Sequence, residues 1–235
     1  VAGIIYLIPV TLGNSDPGLV IPEKVLSITR GLRYFVVENL RSARRYLRLI
    51  DKEFPINDTL FEELNEHTPD ADIVSLLDPV TGGSDMGIMS EAGLPGIADP
   101  GARLVRLAHE KDIKVSPLSG PSSILLALIS SGLNGQNFTF NGYLPVDPAA
   151  RASSVRHLEK RSREGYSQII METPYRNQKL LETILNTCNE RTLLCIALDI
   201  TLPGENIRTR TISEWKKKPF PVNDHLAVFV LLHHL

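Results

Sequence analysis

The 235-residue sequence has few of the residues and patterns that announce a function directly. Its two cysteines, Cys188 and Cys195, are separated by an expected helix end and strand start. That placement fits buried thiols in a reducing compartment better than a disulfide framework or a metal site. No apolar run approaches the roughly 20 residues a membrane-spanning helix requires, so no membrane association is expected and the chain is read as cytoplasmic. The opening VAGIIYLIPV lacks a basic leader and runs straight into a turn, so it reads as a buried first strand and not as a signal peptide. After that strand there is neither a P-loop lysine nor a GxGxxG, and HExxH, clustered His/Cys and GxSxG are also missing. These absences remove the usual support for kinase, nicotinamide, metallohydrolase and serine esterase chemistry, and no metal is expected. Charge is nearly balanced, with 25 basic and 27 acidic residues. A polyanionic partner would therefore have to be held by local basic clusters and not by a field of the whole molecule.

What is present is an alternation. Short apolar, β-branched runs at 4–10, 33–37, 86–90, 138–144, 167–171, 192–198 and 225–232 are separated by longer segments of helical period. That pattern predicts an α/β fold. Asp99-Pro100, Asp147-Pro148 and Thr173-Pro174 each set a capping oxygen before a proline suited to a first helical turn. Gly120-Pro121 opens PSSILLALISSG, and Gly132 is expected to close it in a left-handed conformation. Strand-like KVSPL then gives way to a glycine-proline turn, which suggests two α/β domains, 1–117 and 118–235. The run Lys216-Lys217-Lys218 before Pro219 reads as a solvated helix end.

Three glycine-containing loops follow expected strands: PVTLGNSDPG (9–18), SEAGLPGIADPG (90–101) and SGPSS (119–123). In an open α/β sheet such loops gather at the carboxyl ends of the strands, where ligands bind. Glycine permits a close approach of backbone to ligand, and proline stiffens the chain around it. The spacing therefore predicts a ligand site made of main chain.

YLIPVTLGN, VVENLRSARRYL, MSEAGLPGIADPGARLVRLA, VSPLSGPSSILLAL, FNGYLP and METPYR follow one another in an order that resembles the tetrapyrrole-methylase superfamily of S-adenosylmethionine-dependent methyltransferases. More narrowly, the chain is similar to the branch that 2′-O-methylates a ribose of bacterial small-subunit ribosomal RNA. The resemblance implies two α/β domains, a homodimer, an RNA partner and a cofactor, S-adenosyl-L-methionine, folded into the cleft between the domains. Carried over by position, the cofactor contacts are Leu12, Ala92, Gly93, Leu94, Ile97, Ser122, Ser123 and Glu172. Two departures stand out. Where the ribosomal branch carries Arg-Glu-x-Thr-Lys, this chain has Leu198 for the arginine, Asp199 for the glutamate and Leu202 for the lysine. It also reads as a shorter, diverged relative without the C-terminal extension of the ribosomal enzymes.

Methyl transfer from a sulfonium needs mainly alignment of the acceptor and exclusion of water, and a hydroxyl acceptor also needs a base. Glu38, Glu91, Asp99 and Glu172 are candidate bases, with Glu38 favoured because ENLR resembles a family stretch and Asp99 readily explained as a helix cap. Arginine suits phosphate through its bidentate fork. Arg41, Arg44, Arg45 and Arg48 form one basic helix face, and Arg151, Arg156, Lys160, Arg161 and Arg163 another. Of the arginines, Arg41 and Arg176 coincide with family motifs and join Glu38 as expected catalytic residues. Two other functions fit the same loops: methyl transfer to a small or tetrapyrrole acceptor, and a non-catalytic cofactor- or RNA-binding protein.

Overall fold

The computed structural model describes residues 2–65, 67–218 and 220–233. The chain divides into two compact α/β units between Ser122 and Ser123, a few residues beyond the boundary read from the sequence.

In the first unit the strands are β1 (Ile5–Leu7), β2 (Tyr34–Val37), β3 (Leu60–Glu63), β4 (Met86–Met89) and β5 (Val115–Pro117). They lie in the order β3-β2-β4-β1-β5, every pair parallel. A parallel sheet is covered on both faces, which is why β2 and β4 are buried throughout. Successive side chains of β2 divide between the two faces. Phe35 and Val37 join Ile8 and the helices Glu23–Gly31 and Leu40–Ile50 through Val25, Leu26, Tyr46 and Leu47. Tyr34 and Val36 join Ile5, Ile88 and the helix Gly101–Glu110 through Leu104 and Ala108.

The neighbours β1 and β4 send their connections to opposite faces. From β1 the chain passes through Glu23–Gly31 toward β2; from β4 it passes through Gly101–Glu110 toward β5. The carboxyl ends of β1 and β4 thus flank a topological switch point, where an open α/β sheet leaves a crevice. The edge strand β3, LFEE, was not foreseen from the sequence. Leu60 is 66% exposed and Glu62 and Glu63 are exposed, so the strand carries no apolar alternation to read.

The second unit holds β6 (Phe138–Phe140), β7 (Ser167–Glu172), β8 (Leu193–Leu198), β9 (Asn206–Thr211) and β10 (Ala227–Leu232), in the order β6-β7-β10-β8-β9. β6 and β7 run parallel, and the other pairs are antiparallel. The helices Pro148–Ser162 and Asn177–Thr187 pack Val155, Leu158, Leu180, Leu181 and Ile184 against it, and buried Trp215 donates from Nε1 to the Leu194 carbonyl at 2.9 Å. β9, NIRTRT, also escaped the sequence pattern, because its edge position leaves it half-buried and polar.

The helix signals are realised unevenly. Asp147 caps Pro148–Ser162 by accepting from Ala150 N, and Gly132 takes φ +70°. Elsewhere the proline precedes the first helical residue: Pro100 lies before Gly101–Glu110, and Ser123–Ser131 begins two residues after Pro121. Pro174 opens only a short 3₁₀ turn, with Thr173 making no cap and donating instead to Glu172. Nor is Arg151 part of a solvated face. It is buried, donating to Thr183 Oγ1 and to the Val146 carbonyl.

Phe35 is fully buried and its ring meets both Phe54 and Phe61, the latter stacked at 5.7 Å between centroids. Removing it leaves a cavity next to β4. Phe35→Ala is expected to lower the unfolding free energy by about 3–5 kcal/mol, measured by urea denaturation followed by far-ultraviolet circular dichroism.

Candidate functional site

The three glycine loops converge in the first unit. Past β1, Val10 N donates to Gly93 O at 2.9 Å, so the loops after β1 and β4 form an isolated antiparallel bridge. Gly93 has φ +70° and is buried. A side chain there would be strained, and its Cβ would stand 3.3 Å from Leu12 Cδ2 and 3.4 Å from Pro121 O. The third loop lies closer still: a Cβ on Gly120 would overlap Pro9 Cβ at 2.1 Å. Glycine is thus the only residue that lets the loops after β1 and β5 pack together at this point.

Acidic side chains hold the loop after β4 in place. Asp99 accepts from Gly96 N and Gly101 N, each at 2.7 Å, clamping a segment in which Gly96 and Ala98 both take positive φ. From the end of β2, Glu38 accepts from Glu91 N at 3.0 Å. Burial raises the Glu38 carboxyl above its ordinary range, opposed by the Glu91 amide and reinforced by Asp99 and Glu91. Burial likewise raises Asp99, against the two amides it binds.

Beside these loops a cleft of about 590 Å³ opens at the carboxyl ends of β1 and β4. Its walls include Gly13, Ser15, Ser42, Arg45, Arg48 and Glu91. Ser42 Oγ donates to Glu91 Oε1 at 3.3 Å, and Tyr46 OH donates to Pro9 O at 3.2 Å, tying the helix Leu40–Ile50 to both loops. Ser15 Oγ is buried with no hydrogen-bond partner among the described residues. A buried hydroxyl is normally satisfied, so an unsatisfied one in a cleft wall marks a place for a polar ligand or an ordered water.

Of the residues expected to touch cofactor, Leu12, Gly93 and Ser122 are buried, Leu94 is half-buried, and Ala92 and Ile97 are exposed, all six in the first unit. Ser123, half-buried, opens the helix Ser123–Ser131, and Glu172 ends β7; both belong to the second unit. Arg41 is exposed in the first turn of Leu40–Ile50 and makes no ion pair with Glu38 or any other described residue. Arg176 is differently placed. Its Nη2 pairs with Glu172 Oε2 at 2.8 Å and donates to Leu144 O at 3.0 Å, with the Glu172 side chain only 1% exposed. Glu172 Oε1 accepts from Thr173 N at 2.8 Å, so the carboxylate and the guanidinium are both held inside the second unit.

Motif reading singled out Arg41 from its helix face, whereas Arg45 and Arg48 are the ones that line the cleft. The signal for them was present in the spacing of Ser42, Arg45 and Arg48, which share one helical face. Ser15 gave no such signal, because nothing in a sequence marks a hydroxyl that will be buried without a partner.

Residues 23–216 match the model of the Tetrapyrrole (Corrin/Porphyrin) Methylases. Among relatives, the ribosomal RNA small subunit methyltransferase I of Vibrio cholerae is 29% identical over 213 residues, covering 91% of this chain and 70% of that protein. The protein of the same name from Escherichia coli O157:H7 is 29% identical over 219 residues, covering 92% and 73%. Among solved structures, the methyltransferase CobJ superposes with a TM-score of 0.64 at 14% identity, covering 99% of this chain and 95% of its own. Uroporphyrin-III-C-methyltransferase from Thermus thermophilus gives 0.59 at 15%, covering 98% and 94%. The structural likenesses establish the fold and the model match the family: the chain belongs to the tetrapyrrole (corrin/porphyrin) methylases, a family of S-adenosylmethionine-dependent methyltransferases.

Proposed function

We propose that this protein methylates the 2′-hydroxyl of a ribose in small-subunit ribosomal RNA. The observation that carries the reading is that relatives named as ribosomal RNA small subunit methyltransferases align with about nine-tenths of the chain. The cleft beside the glycine loops supports it, because Arg45 and Arg48 stand on its wall where a phosphodiester could be gripped.

The loops fit S-adenosylmethionine on one structural ground above all. Gly93 presents main chain where a Cβ would press on Leu12 and Pro121. Leu12, Ala92, Gly93, Leu94, Ile97 and Ser122 would hold the cofactor from the first unit. When bound, the sulfonium supplies a methyl group already activated for displacement. Glu38 and Asp99 fix the loop after β4 by its amides, so the binding surface is formed before the ligand arrives. Arg176 acts by orienting Glu172, while Arg41, Arg45 and Arg48 attract the RNA backbone.

The direct test is transfer of labelled methyl to small subunits that lack the modification, followed by alkaline hydrolysis. A 2′-O-methyl group protects the adjacent phosphodiester, so an alkali-resistant labelled dinucleotide is expected. Label that is released as free mononucleotide would place the methyl on a base, and no transfer at all would favour a binding protein.

The arginines separate by measurement. Arg45→Ala and Arg48→Ala are each expected to weaken RNA binding and to lower the salt slope by about one. Arg41→Ala should do the same, with Arg41→Lys restoring only part of the affinity, since an ammonium keeps the charge without the fork. Arg176→Ala should instead leave the salt slope unchanged and destabilise the second unit by about 3–5 kcal/mol, because it strands a buried carboxylate. Chemical denaturation followed by the fluorescence of Trp215, the chain's one tryptophan, would report the loss.

A further inference from the structure

The cleft of the first unit carries five hydroxyl side chains on its walls, Thr11, Ser15, Ser42, Tyr46 and Ser90. Four of them are spent on the protein itself. Thr11 Oγ1 donates to Gly13 O at 2.8 Å, Ser90 Oγ to Ala92 O at 3.2 Å, Ser42 Oγ to Glu91 and Tyr46 OH to Pro9 O. Ser15 is the exception. Only 6% of it is exposed, and its Oγ meets no hydrogen-bond partner among the described residues. Burying a hydroxyl unsatisfied is unfavourable for the free protein, so one that persists in a cleft wall is a donor held ready for a ligand.

The charged groups of the same wall narrow the ligand. Arg45 is exposed and makes no hydrogen bond or ion pair with a described residue. Arg48 is already in use, its Nη1 donating to the Lys52 carbonyl just past the helix, and Arg44 lies over the Phe61 ring, 5.4 Å from the centroid. The carboxylates of the wall are engaged too: Asp16 Oδ1 accepts from Gly18 N at 2.9 Å, and Glu91 Oε1 from Ser42. With Arg45 and Arg48 balanced by Asp16 and Glu91, the wall has no surplus positive charge to offer a dianion. A group with a single negative charge and several acceptor oxygens suits one guanidinium fork and one neutral hydroxyl. A phosphodiester is such a group.

Resting on the RNA reading above, we propose that Ser15 and Arg45 form a phosphodiester subsite in this cleft: the Ser15 hydroxyl donates to a non-bridging oxygen of one backbone phosphate, and Arg45 pairs with the same phosphate. The two side chains divide the task. Arg45 supplies charge from an exposed position, and Ser15 supplies a fixed direction from a buried one. Both residues belong to the first unit, so the subsite is complete within it. One atom then has two opposite effects. Removing Ser15 Oγ relieves the free protein of an unsatisfied donor, and it weakens the complex by a hydrogen bond to a charged group.

The test compares wild type, Ser15→Ala, Arg45→Ala and the double variant by fluorescence anisotropy with a short labelled single-stranded RNA over a salt series. Thermal unfolding without ligand and calorimetry with S-adenosylmethionine accompany it. Ser15→Ala is expected to weaken RNA binding about tenfold with the salt slope unchanged, since a neutral hydroxyl releases no counterion. The double variant should lose less than the product of the two single losses, because both side chains hold one phosphate. The melting temperature of Ser15→Ala should be at or above that of wild type, and its cofactor affinity the same. Wild-type RNA affinity in Ser15→Ala overturns the proposal, and so do fully multiplicative losses. A lowered melting temperature would make the hydroxyl structural, and a lowered cofactor affinity would place it at the cofactor; either result overturns it as well. A second probe separates the subsite from the RNA reading. Cytidylyl-cytidine, which carries one phosphodiester and no other phosphate, should give a saturation-transfer NMR signal with wild type that Ser15→Ala abolishes. If wild type binds this dinucleotide but no RNA, the RNA reading fails and the subsite stands. If it binds RNA without a dinucleotide signal that depends on Ser15, the subsite fails and the RNA reading stands; binding of neither defeats both.

Discussion

One main-chain hydrogen bond organises the first unit's site: Val10 N to Gly93 O. It joins the loops that leave β1 and β4, the two neighbouring strands whose connections part to opposite faces of the sheet. With those loops tied, the carboxylates can act on fixed backbone. Glu38 reaches the Glu91 amide and Asp99 clamps Gly96 and Gly101. The crevice of a switch point is thereby converted from a gap into a surface of ordered peptide groups. The raised carboxyls of Glu38 and Asp99 follow from the same arrangement, because closing the loops over them removes water.

The second unit works by different means. Its sheet is mixed, and the end that carries Glu172 gathers side chains more than loop backbone. Glu172 is neutralised by Arg176 and held by Thr173, while Asp199 holds His225. A buried ion pair of this kind adds little net stability, but it fixes geometry and is costly to break on one side. Arg176, an arginine in a motif position, is thus occupied by the carboxylate and the Leu144 carbonyl it binds. The cation for phosphate is better sought on the exposed face of the helix Leu40–Ile50.

Much of this was legible in the sequence for identifiable reasons. Central strands such as β2, β4, β8 and β10 are continuous apolar runs because they are covered on both faces. The edges β3 and β9 went unread, since LFEE and NIRTRT have no buried side to impose a pattern. The glycine loops were legible because their composition is tolerable only where backbone must bend sharply or approach closely. Gly93 and Gly120 meet those two demands. What the sequence could not show was pairing. That Arg176 is held by Glu172, that Arg151 is buried against Thr183, and that Ser15 has no partner depend on contacts set by tertiary packing. The exposure of Arg45 and Arg48 to a cleft, with Arg41 off its wall, likewise depends on where the first loop crosses the helix.

The central claim is that main chain around Gly93, held by its bridge to Val10, is the surface that binds S-adenosylmethionine. Calorimetric titration of the cofactor into wild type and Gly93→Ala tests it most directly, with thermal unfolding measured on both. The account predicts saturable binding by wild type and a loss of at least about tenfold in the variant, worth some 1.4 kcal/mol, with both proteins folded. Equal affinity in the two proteins, or no binding by wild type at millimolar cofactor, would contradict it.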